Sequence, residues 1–279
     1  MSEKEPKILI ASFIKNMAFC FPQWRDAILA IDYPKELIKF VIVENDSVDA
    51  TWDMLENFKK DYEQDYMGIN LVRVNTGEQG TLYWDRRTST GQYNKFVEYI
   101  ISIHNDIFTK YLDDTDYWIC IQGDNIVPPH IIKSNLKIFN SYDNVGMVSA
   151  LIRDRTSGGS FDRLTARRIV DQYPPKPWRL DSKRPIAWTG KGDSIKRSVY
   201  LYPPDQDPKL LHGAVKDAMC YTCLTIPTPI YRKLVMWYHV DDQVVSYLYQ
   251  LENMGLDFYM NNDVKIQHID RDGSYVLLE

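Results

Sequence analysis

Several short apolar runs in this sequence end in residues that can do chemistry. The main runs and the polar residues that follow them are Trp118–Ile121 with Gln122 and Asp124, Lys39–Val43 with Glu44, and Val264–Ile266 with His268. Side chains of these types exchange hydrogen bonds with polar ligands, and carboxylates and imidazoles also act as acids, bases or metal ligands. Their repeated position directly after an apolar run predicts one ligand site assembled from several strand ends.

The elements that would position these residues follow from the periodicity of the chain. Apolar runs of strand length alternate with longer segments of helical spacing, which indicates an α/β fold with a mostly parallel sheet and helices on both faces. The predicted strands are Lys7–Ser12, Lys39–Glu44, Ile69–Val74, Tyr117–Ile121, Val145–Ala150 and Val264–His268. The predicted helices cover residues 19–31, 50–61, 91–111, a segment after Pro129, a short turn near Tyr231, and 241–254. Parallel strands bring their carboxyl ends to one edge, where ligands bind.

Composition restricts the class of protein. The 279 residues carry a net charge of −5, with 44% hydrophobic and 25% charged residues, which excludes a disordered, collagen-like or coiled-coil chain. No run of about 18 apolar residues predicts a membrane span, and the first residues lack the apolar region of a signal peptide, so we expect a cytoplasmic protein.

The four cysteines are too few for a disulfide framework, and we expect reduced thiols. The pair Cys220 and Cys223 has the spacing of a redox or zinc motif, but no second pair accompanies it. Packing in the core is the favoured interpretation for both residues, and metal binding is the alternative.

A basic segment interrupts the alternation between Leu151 and Pro208. From Arg163 to Arg197 it holds ten Lys and Arg residues against three Asp residues. Such a segment within an acidic chain indicates an anionic partner or a lid over a site, and a solvated surface loop explains it equally well.

Two motifs in the expected order resemble those of nucleotide-sugar glycosyltransferases with the GT-A fold. The segment from Trp118 to Pro129 is similar to their DxD region, and the segment from Val43 to Thr51 is similar to the second-strand signature of family 2-like members. The stretch Ile31–Ile38 resembles a segment of the mannan-polymerase-type branch. The resemblance covers roughly residues 7–151 and 214–270. It implies a nucleotide-sugar-binding half at 1–150, a basic insert or lid at 151–212, and an acceptor-side half at 213–279, within one compact domain.

The resemblance also implies roles for individual residues. Asp124 and His268 would hold a divalent cation, Mn²⁺ or Mg²⁺, and imidazole suits Mn²⁺ better. Gln122 departs from the family at the first acidic position of the DxD motif and can contribute only hydrogen bonds. The other residues implied in donor binding are Ser12 and Glu44 at the base and ribose, Arg271 at the diphosphate, and Asn94 or Lys95 on the long helix. A structural histidine is the alternative for His268.

Asp241 and Asp242 match the acidic pair that precedes the acceptor-side helix in these enzymes. The resemblance implies that Asp242 is the base that deprotonates the acceptor, and capping of the helix is the alternative. Asp49 is expected to cap the helix that follows the second-strand motif.

The function that follows is a metal-dependent glycosyltransferase of class EC 2.4. It would transfer a hexose from a nucleotide diphosphate sugar, UDP- favoured over GDP-, to an acceptor hydroxyl, with inversion or retention left open. The loop from Ser12 to Met17 contains no glycine, which argues against a nucleotidyltransferase that holds a triphosphate there. Two alternatives remain open. Gln122 favours a non-catalytic module that binds a nucleotide sugar. The basic segment favours a module that binds a polyanion, or a polyanionic acceptor such as modified DNA.

Overall fold

The computed structural model describes residues 4–75, 98–155, 162–164, 167–172, 195–200, 210–220, 222–237 and 243–269. The strands are β1 Ile8–Ile14, β2 Ile38–Asn45, β3 Gly68–Val74, β4 Tyr117–Cys120, β5 Asn125–Ile126, β6 Val145–Arg155, β7 Asp162–Leu164, β8 Arg167–Gln172, β9 Ile195–Tyr200, β10 Ala214–Lys216, β11 Ala218–Met219, β12 Leu224–Pro227 and β13 Asp257–His268. The helices are α1 Phe21–Leu29, α2 Thr51–Tyr62, α3 Ile131–Ser141, α4 Thr228–Tyr231 and α5 Val245–Asn253. A 3₁₀ turn covers Lys35–Leu37, and a helical segment from 98 ends in a π turn, Ile103–Ile107, and a 3₁₀ turn, Phe108–Tyr111.

The main sheet has the strand order β10-β13-β6-β12-β4-β1-β2-β3. Its β4-β1-β2-β3 half is parallel throughout, and β13 is parallel to β6. β12 runs antiparallel between β4 and β6, and β10 is antiparallel to β13. β5 and β7 add short antiparallel pairings to β13 and β6. The prediction of an α/β fold with a largely parallel sheet is confirmed.

Both faces of the sheet are covered because successive residues of its strands point to opposite sides. In β1, Ile8 and Ile10 belong to one core cluster, whereas Leu9 and Ala11 belong to the other. The first cluster is completed by residues of α1, α2 and α3, such as Trp24, Phe58 and Ile131; the second is completed by α4, α5 and the 98–111 segment, including Tyr231, Leu248 and Ile103. The two core clusters hold the strands in place, and the site residues lie at the carboxyl ends of these strands.

Two strands are longer than their apolar pattern predicts. β13 begins at Asp257 instead of Val264, because an irregularity in its pairing with β6 between Asn261 and Lys265 places polar residues in the middle of the strand. β6 continues to Arg155 and pairs there with β7.

The described part of the 151–212 segment also contains strands. β8 pairs with β9 and with β11, giving a small antiparallel sheet. The boundaries of the predicted insert stay a prediction. None of the helices in the described ranges combines the length and the apolar character that crossing a membrane requires.

Candidate active site

Asp124 and His268 meet at the carboxyl end of the sheet. After β4, Ile121 still donates to the Ala11 carbonyl (2.9 Å), and a turn closed by the Asn125 N–H and the Gln122 carbonyl (3.1 Å) then presents Asp124. β5 pairs with the end of β13 so that Asn125 lies opposite His268. The His268 Nε2–H donates to Asp124 Oδ2 over 3.1 Å. The two residues predicted as a metal pair, 144 positions apart, are therefore in contact.

This pair is partly buried but still accessible, with 17% of the Asp124 side chain and 16% of the His268 side chain exposed. Within the described ranges, no group of three or more His, Cys, Asp or Glu side chains is arranged to hold a metal ion. Gln122 is half-buried at the start of the same turn. A cation held by Asp124 and His268 would consequently depend on a ligand such as a diphosphate for further oxygen atoms.

Gly123 allows the turn that carries Asp124 to pack directly on the loop after β1. A Cβ atom at this position would lie 2.9 Å from Ile14 Cγ1 and 3.4 Å from Met17 Cγ. The Cys20 thiol also contacts the Gly123 carbonyl at 3.6 Å, and burial, followed by the charge of Asp124, raises the pKa of that thiol to about 12. The backbone at 122–124 is thus held from the β1 side by tight packing.

The second-strand motif binds the backbone of the loop after β1. Three consecutive N–H groups of that loop donate to three motif side chains, namely Asn16 to Ser47 (2.9 Å), Met17 to Thr51 (2.8 Å) and Ala18 to Asp49 (3.1 Å). In return the Asn16 side-chain oxygen accepts the Val48 N–H at 2.9 Å. We call these four hydrogen bonds the loop latch. Asp49 also accepts the N–H of Thr51, the first residue of α2, at 3.0 Å. It does so from the position before the N-cap residue, which is Ala50, so the prediction that Asp49 is the cap of this helix is off by one residue.

Ser12 and Glu44 lie on the neighbouring strands β1 and β2, and both are fully buried. Glu44 Oε1 accepts the Ser47 N–H at 2.7 Å, and Oε2 lies 3.2 Å from Arg73 Nε. Among the described residues, the Ser12 hydroxyl has no hydrogen-bond partner. Their proximity agrees with a shared site, and their assignment to the base and ribose pocket stays a prediction.

The sequence analysis missed Arg73, which contacts Glu44, and Trp52, which contacts Arg73. Arg73 lies opposite Glu44 in the pairing of β2 with β3, and its guanidinium lies 4.9 Å from the centre of the Trp52 ring. The signal was available, because Glu44 and Arg73 both occur near the end of a predicted parallel strand. Asp241, Asp242, Arg271, Asn94 and Lys95 lie outside the described residues.

All four cysteines are free and buried. Cys220 and Cys223 both belong to the core, where the Cys220 thiol contacts Met260 Sδ (3.7 Å) and the Cys223 thiol donates to Asn125 Oδ1 (3.5 Å). Burial raises the pKa of Cys223 well above its usual value. Asn125 links this thiol to the turn that holds Asp124.

His104 is buried in the second core cluster. Its Nδ1 atom lies 3.1 Å from the Tyr247 hydroxyl and 3.2 Å from the Tyr231 hydroxyl. The imidazole ring packs against the ring of Trp118. Burial lowers the pKa of His104 to about 3, so the imidazole is neutral at physiological pH. The Tyr231 hydroxyl also donates to the His104 backbone carbonyl at 3.2 Å, and these buried contacts give the residue a structural role.

No protein-family model matches the chain, and no curated protein matches it either. Among solved structures, GalNAc-T7 with UDP, GalNAc and Mn²⁺ is similar over 97% of this chain and 45% of its own, with 13% identity and a TM-score of 0.53. Staphylococcus aureus TarS with UDP-GlcNAc is similar over 93% of this chain and 58% of its own, with 10% identity and a TM-score of 0.47. The mannosyltransferase PcManGT of Pyrobaculum calidifontis, in complex with GDP-Man and Mn²⁺, is similar over 54% of this chain and 37% of its own, with 17% identity and a TM-score of 0.35.

The chain spans less than two thirds of the length of each of these solved chains. The similarity to GalNAc-T7 extends over nearly the whole of the present chain and identifies its fold as GT-A-like. The fold class predicted from the two motifs is therefore confirmed.

Proposed function

We propose that this chain, with its GT-A-like fold, is a metal-dependent glycosyltransferase that moves a hexose from a nucleotide diphosphate sugar to an acceptor hydroxyl. The observation that carries the proposal is the contact between Asp124 Oδ2 and His268 Nε2 (3.1 Å) at the carboxyl edge of the sheet. The bound UDP, GalNAc and Mn²⁺ of the structurally similar GalNAc-T7 support this class of donor and favour UDP over GDP.

The donor set of the pair fits a divalent cation such as Mn²⁺. Ligand atoms on adjacent corners of an octahedral site with bonds of about 2.1 Å lie about 3 Å apart, close to the observed 3.1 Å. One carboxylate oxygen and one imidazole nitrogen suit Mn²⁺ better than Mg²⁺, which prefers oxygen ligands. The bound cation would neutralise charge on the departing diphosphate. Asp124 and His268 would hold it, and the diphosphate would supply further oxygens.

Donor recognition is proposed for Ser12, Glu44 and Gln122, with Arg271 near the diphosphate. Glu44 can accept a base N–H or a ribose hydroxyl at Oε2 if Arg73 leaves its 3.2 Å contact, and the Arg73 side chain is 54% exposed and able to do so. Gln122 lies in the turn that presents Asp124 and can bond the ribose or a cation-bound water. These roles predict that nucleotide affinity depends on Glu44 even without metal.

Acceptor activation is proposed for the acidic pair that precedes α5. Asp242 would accept the proton of the acceptor hydroxyl in an inverting reaction, with Asp241 beside it in the sequence. In a retaining reaction Asp242 would orient the acceptor instead.

A second candidate is a non-catalytic nucleotide-sugar-binding module, and Gln122 is the observation that favours it. The position carries a neutral amide where the DxD pattern has a carboxylate, so one charge of the usual ligand set is missing. Such a module would bind the donor without turnover and without a need for metal.

The test is thermal unfolding of the chain with UDP-, GDP-, CDP- and dTDP-sugars, each with and without Mn²⁺. A ligand that binds only the native state raises its stability by mass action, by about 2.7 kcal/mol at a hundredfold excess over Kd. We expect a rise in Tm that requires both a UDP-sugar and Mn²⁺, and that disappears in Asp124→Asn and His268→Gln.

Asp257→Asn provides the matched control. Asp257 lies at the opposite end of β13 from His268 and pairs with Lys216 at 2.6 Å, so its replacement removes a carboxylate and an ion pair away from the proposed site. The control should retain the full metal-dependent rise in Tm. A rise without Mn²⁺ and without sugar transfer or donor hydrolysis would favour the binding module, and no rise with any donor would contradict both candidates.

A further inference from the structure

Asn125 lies fully buried between the proposed metal ligand and a distant part of the chain. Its side-chain Nδ2 donates to Asp124 Oδ1 at 3.0 Å. Its Oδ1 accepts hydrogen bonds from the Thr222 hydroxyl and from the Cys223 thiol. The two donors lie just before β12, almost a hundred positions away in the sequence. Asn125 therefore connects them to the turn that carries Asp124.

The chemistry of these groups fixes the orientation of the Asn125 amide. A hydroxyl and a protonated thiol can both donate, and the oxygen of an asparagine side chain can only accept. With Thr222 and Cys223 bound to Oδ1, the Nδ2 group must face the carboxylate. The burial that raises the pKa of Cys223 keeps its thiol protonated and able to donate.

In this orientation the two oxygens of the Asp124 carboxylate have different partners. Oδ1 accepts the Asn125 amide, and Oδ2 points to His268. Rotation of the carboxylate would leave the Nδ2–H of Asn125 without its acceptor, which is unfavourable because Asn125 is fully buried. The oxygen proposed to bind the cation is thus held toward the imidazole.

The backbone of Cys223 supports the same interpretation. Its φ angle is 52°, a left-handed conformation that residues other than glycine rarely adopt. Such strain persists where the surrounding structure enforces it. Here the following strand β12 is paired on both sides, with β4 and β6, and the thiol ends against Asn125. The Cys220 thiol instead contacts Met260, so the two cysteines of the motif have different partners.

We propose that Asn125, oriented by Thr222 and Cys223, is the positioning residue that aims the Asp124 carboxylate at the cation site. The inference rests on the proposed function, in which Asp124 and His268 bind Mn²⁺. It assigns to the second cysteine of the Cys220–Cys223 motif a hydrogen-bonding role in place of a redox or zinc-binding one.

The test measures Mn²⁺ affinity in the presence of UDP, from the loss of the free Mn²⁺ signal in electron paramagnetic resonance. Thr222→Val keeps the shape of the side chain and removes its donor, and we expect about three- to tenfold weaker binding, the size of one net hydrogen bond. Thr222→Ser restores the donor and should bind within twofold of the wild type. Asn125→Leu should weaken binding about 10- to 100-fold, as loss of a group that orients a metal ligand does.

Thr225→Val is the matched control. Thr225 is also fully buried, lies on β12, and accepts a hydrogen bond from a buried asparagine, Asn135, at 2.9 Å. Its replacement breaks a similar contact away from Asp124, so thermal stability should fall as in Thr222→Val while Mn²⁺ affinity stays within twofold of the wild type.

Three results would overturn the inference, and they differ in what else they affect. A folded Thr222→Val variant with wild-type Mn²⁺ affinity, or a Thr225→Val variant weakened to the same extent as Thr222→Val, would refute the positioning role and leave the metal pair intact. A wild-type chain that binds no Mn²⁺ with UDP present would refute the proposed metal pair and the positioning role together.

Discussion

Replacing Gly123 with alanine should disturb the turn that carries Asp124 through a single steric contact. The added Cβ would lie 2.9 Å from Ile14 Cγ1, closer than carbon atoms pack. The backbone conformation itself is no obstacle to alanine, because Gly123 is not among the glycines with positive φ. Ile14 is itself buried, at 1% exposure, so it cannot move into solvent. The turn or the loop after β1 has to shift.

The expected cost is that of overpacking a well-packed core. Inserting one methyl group against buried neighbours destabilises a protein by about 1–3 kcal/mol. At about 2–4 °C per kcal/mol, which holds for domains of 150–250 residues, Gly123→Ala should lower the Tm by roughly 2–12 °C. Gly68→Ala is the control, because a Cβ at Gly68 has no atom within 4 Å, and we expect little change or a slight gain in stability.

A double-mutant cycle with Ile14→Ala identifies the cause. Ile14→Ala alone should cost about 2–5 kcal/mol through the cavity that it leaves. It also removes the Cγ1 and Cδ1 atoms that the new methyl group would meet, so the double variant should be more stable than the sum of the single variants by about 1–2 kcal/mol. The assay is urea unfolding followed by tryptophan fluorescence. Additive effects, within about 0.5 kcal/mol, or equal effects of Gly123→Ala and Gly68→Ala, would refute the reasoning.

Two further predictions concern the buried imidazole and the loop latch. In the unfolded chain His104 takes up a proton below its ordinary pKa of 6.5, whereas in the native chain it does so only near pH 3, so the free energy of unfolding is full above pH 6.5 and is about 2 kcal/mol lower at pH 5. In urea unfolding, His104→Gln should therefore lose less stability than the wild type between pH 7 and pH 5. An equal loss in the two proteins would contradict this prediction. Asp49→Ala removes the acceptor of the Ala18 and Thr51 N–H groups and should lower the free energy of unfolding by about 1–3 kcal/mol. The control is Glu56→Ala, at an exposed position of α2, which should change it by less than about 0.5 kcal/mol. Equal losses of stability in thermal unfolding would contradict a role for the loop latch.

The predictable part of the fold is the part set by local pattern. β1, β2 and β4 are largely apolar on both faces, and polar residues lie at or shortly after their carboxyl ends, so their approximate positions and the location of the site follow from the sequence. The contact between Asp124 and His268 was predicted through the resemblance to the GT-A family and is present in the structure. The start of β13 was missed, since Asn261 and Asn262 interrupt its apolar pattern and are nevertheless buried.

The rest of the candidate site depends on tertiary contacts that leave no local signal. β12 is a short strand that inserts antiparallel between β4 and β6, and this insertion brings Thr222 and Cys223 to Asn125. No periodicity within the chain connects the two segments. The motif around Thr51 correctly indicated the fold, but its side chains bind the backbone of a neighbouring loop, which the motif alone does not indicate.

The loop latch makes the two loops at the ends of β1 and β2 a single mechanical unit. Three of its four bonds join acceptors at positions 47, 49 and 51 to consecutive donors at positions 16–18, and the fourth runs the other way, from the Val48 N–H to the Asn16 side chain. A shift of either loop by one residue would break this pattern. An insertion in either loop would therefore be far more damaging than its length suggests. A ligand that binds at the carboxyl ends of β1 and β2 has to fit the latched loops or displace both of them together.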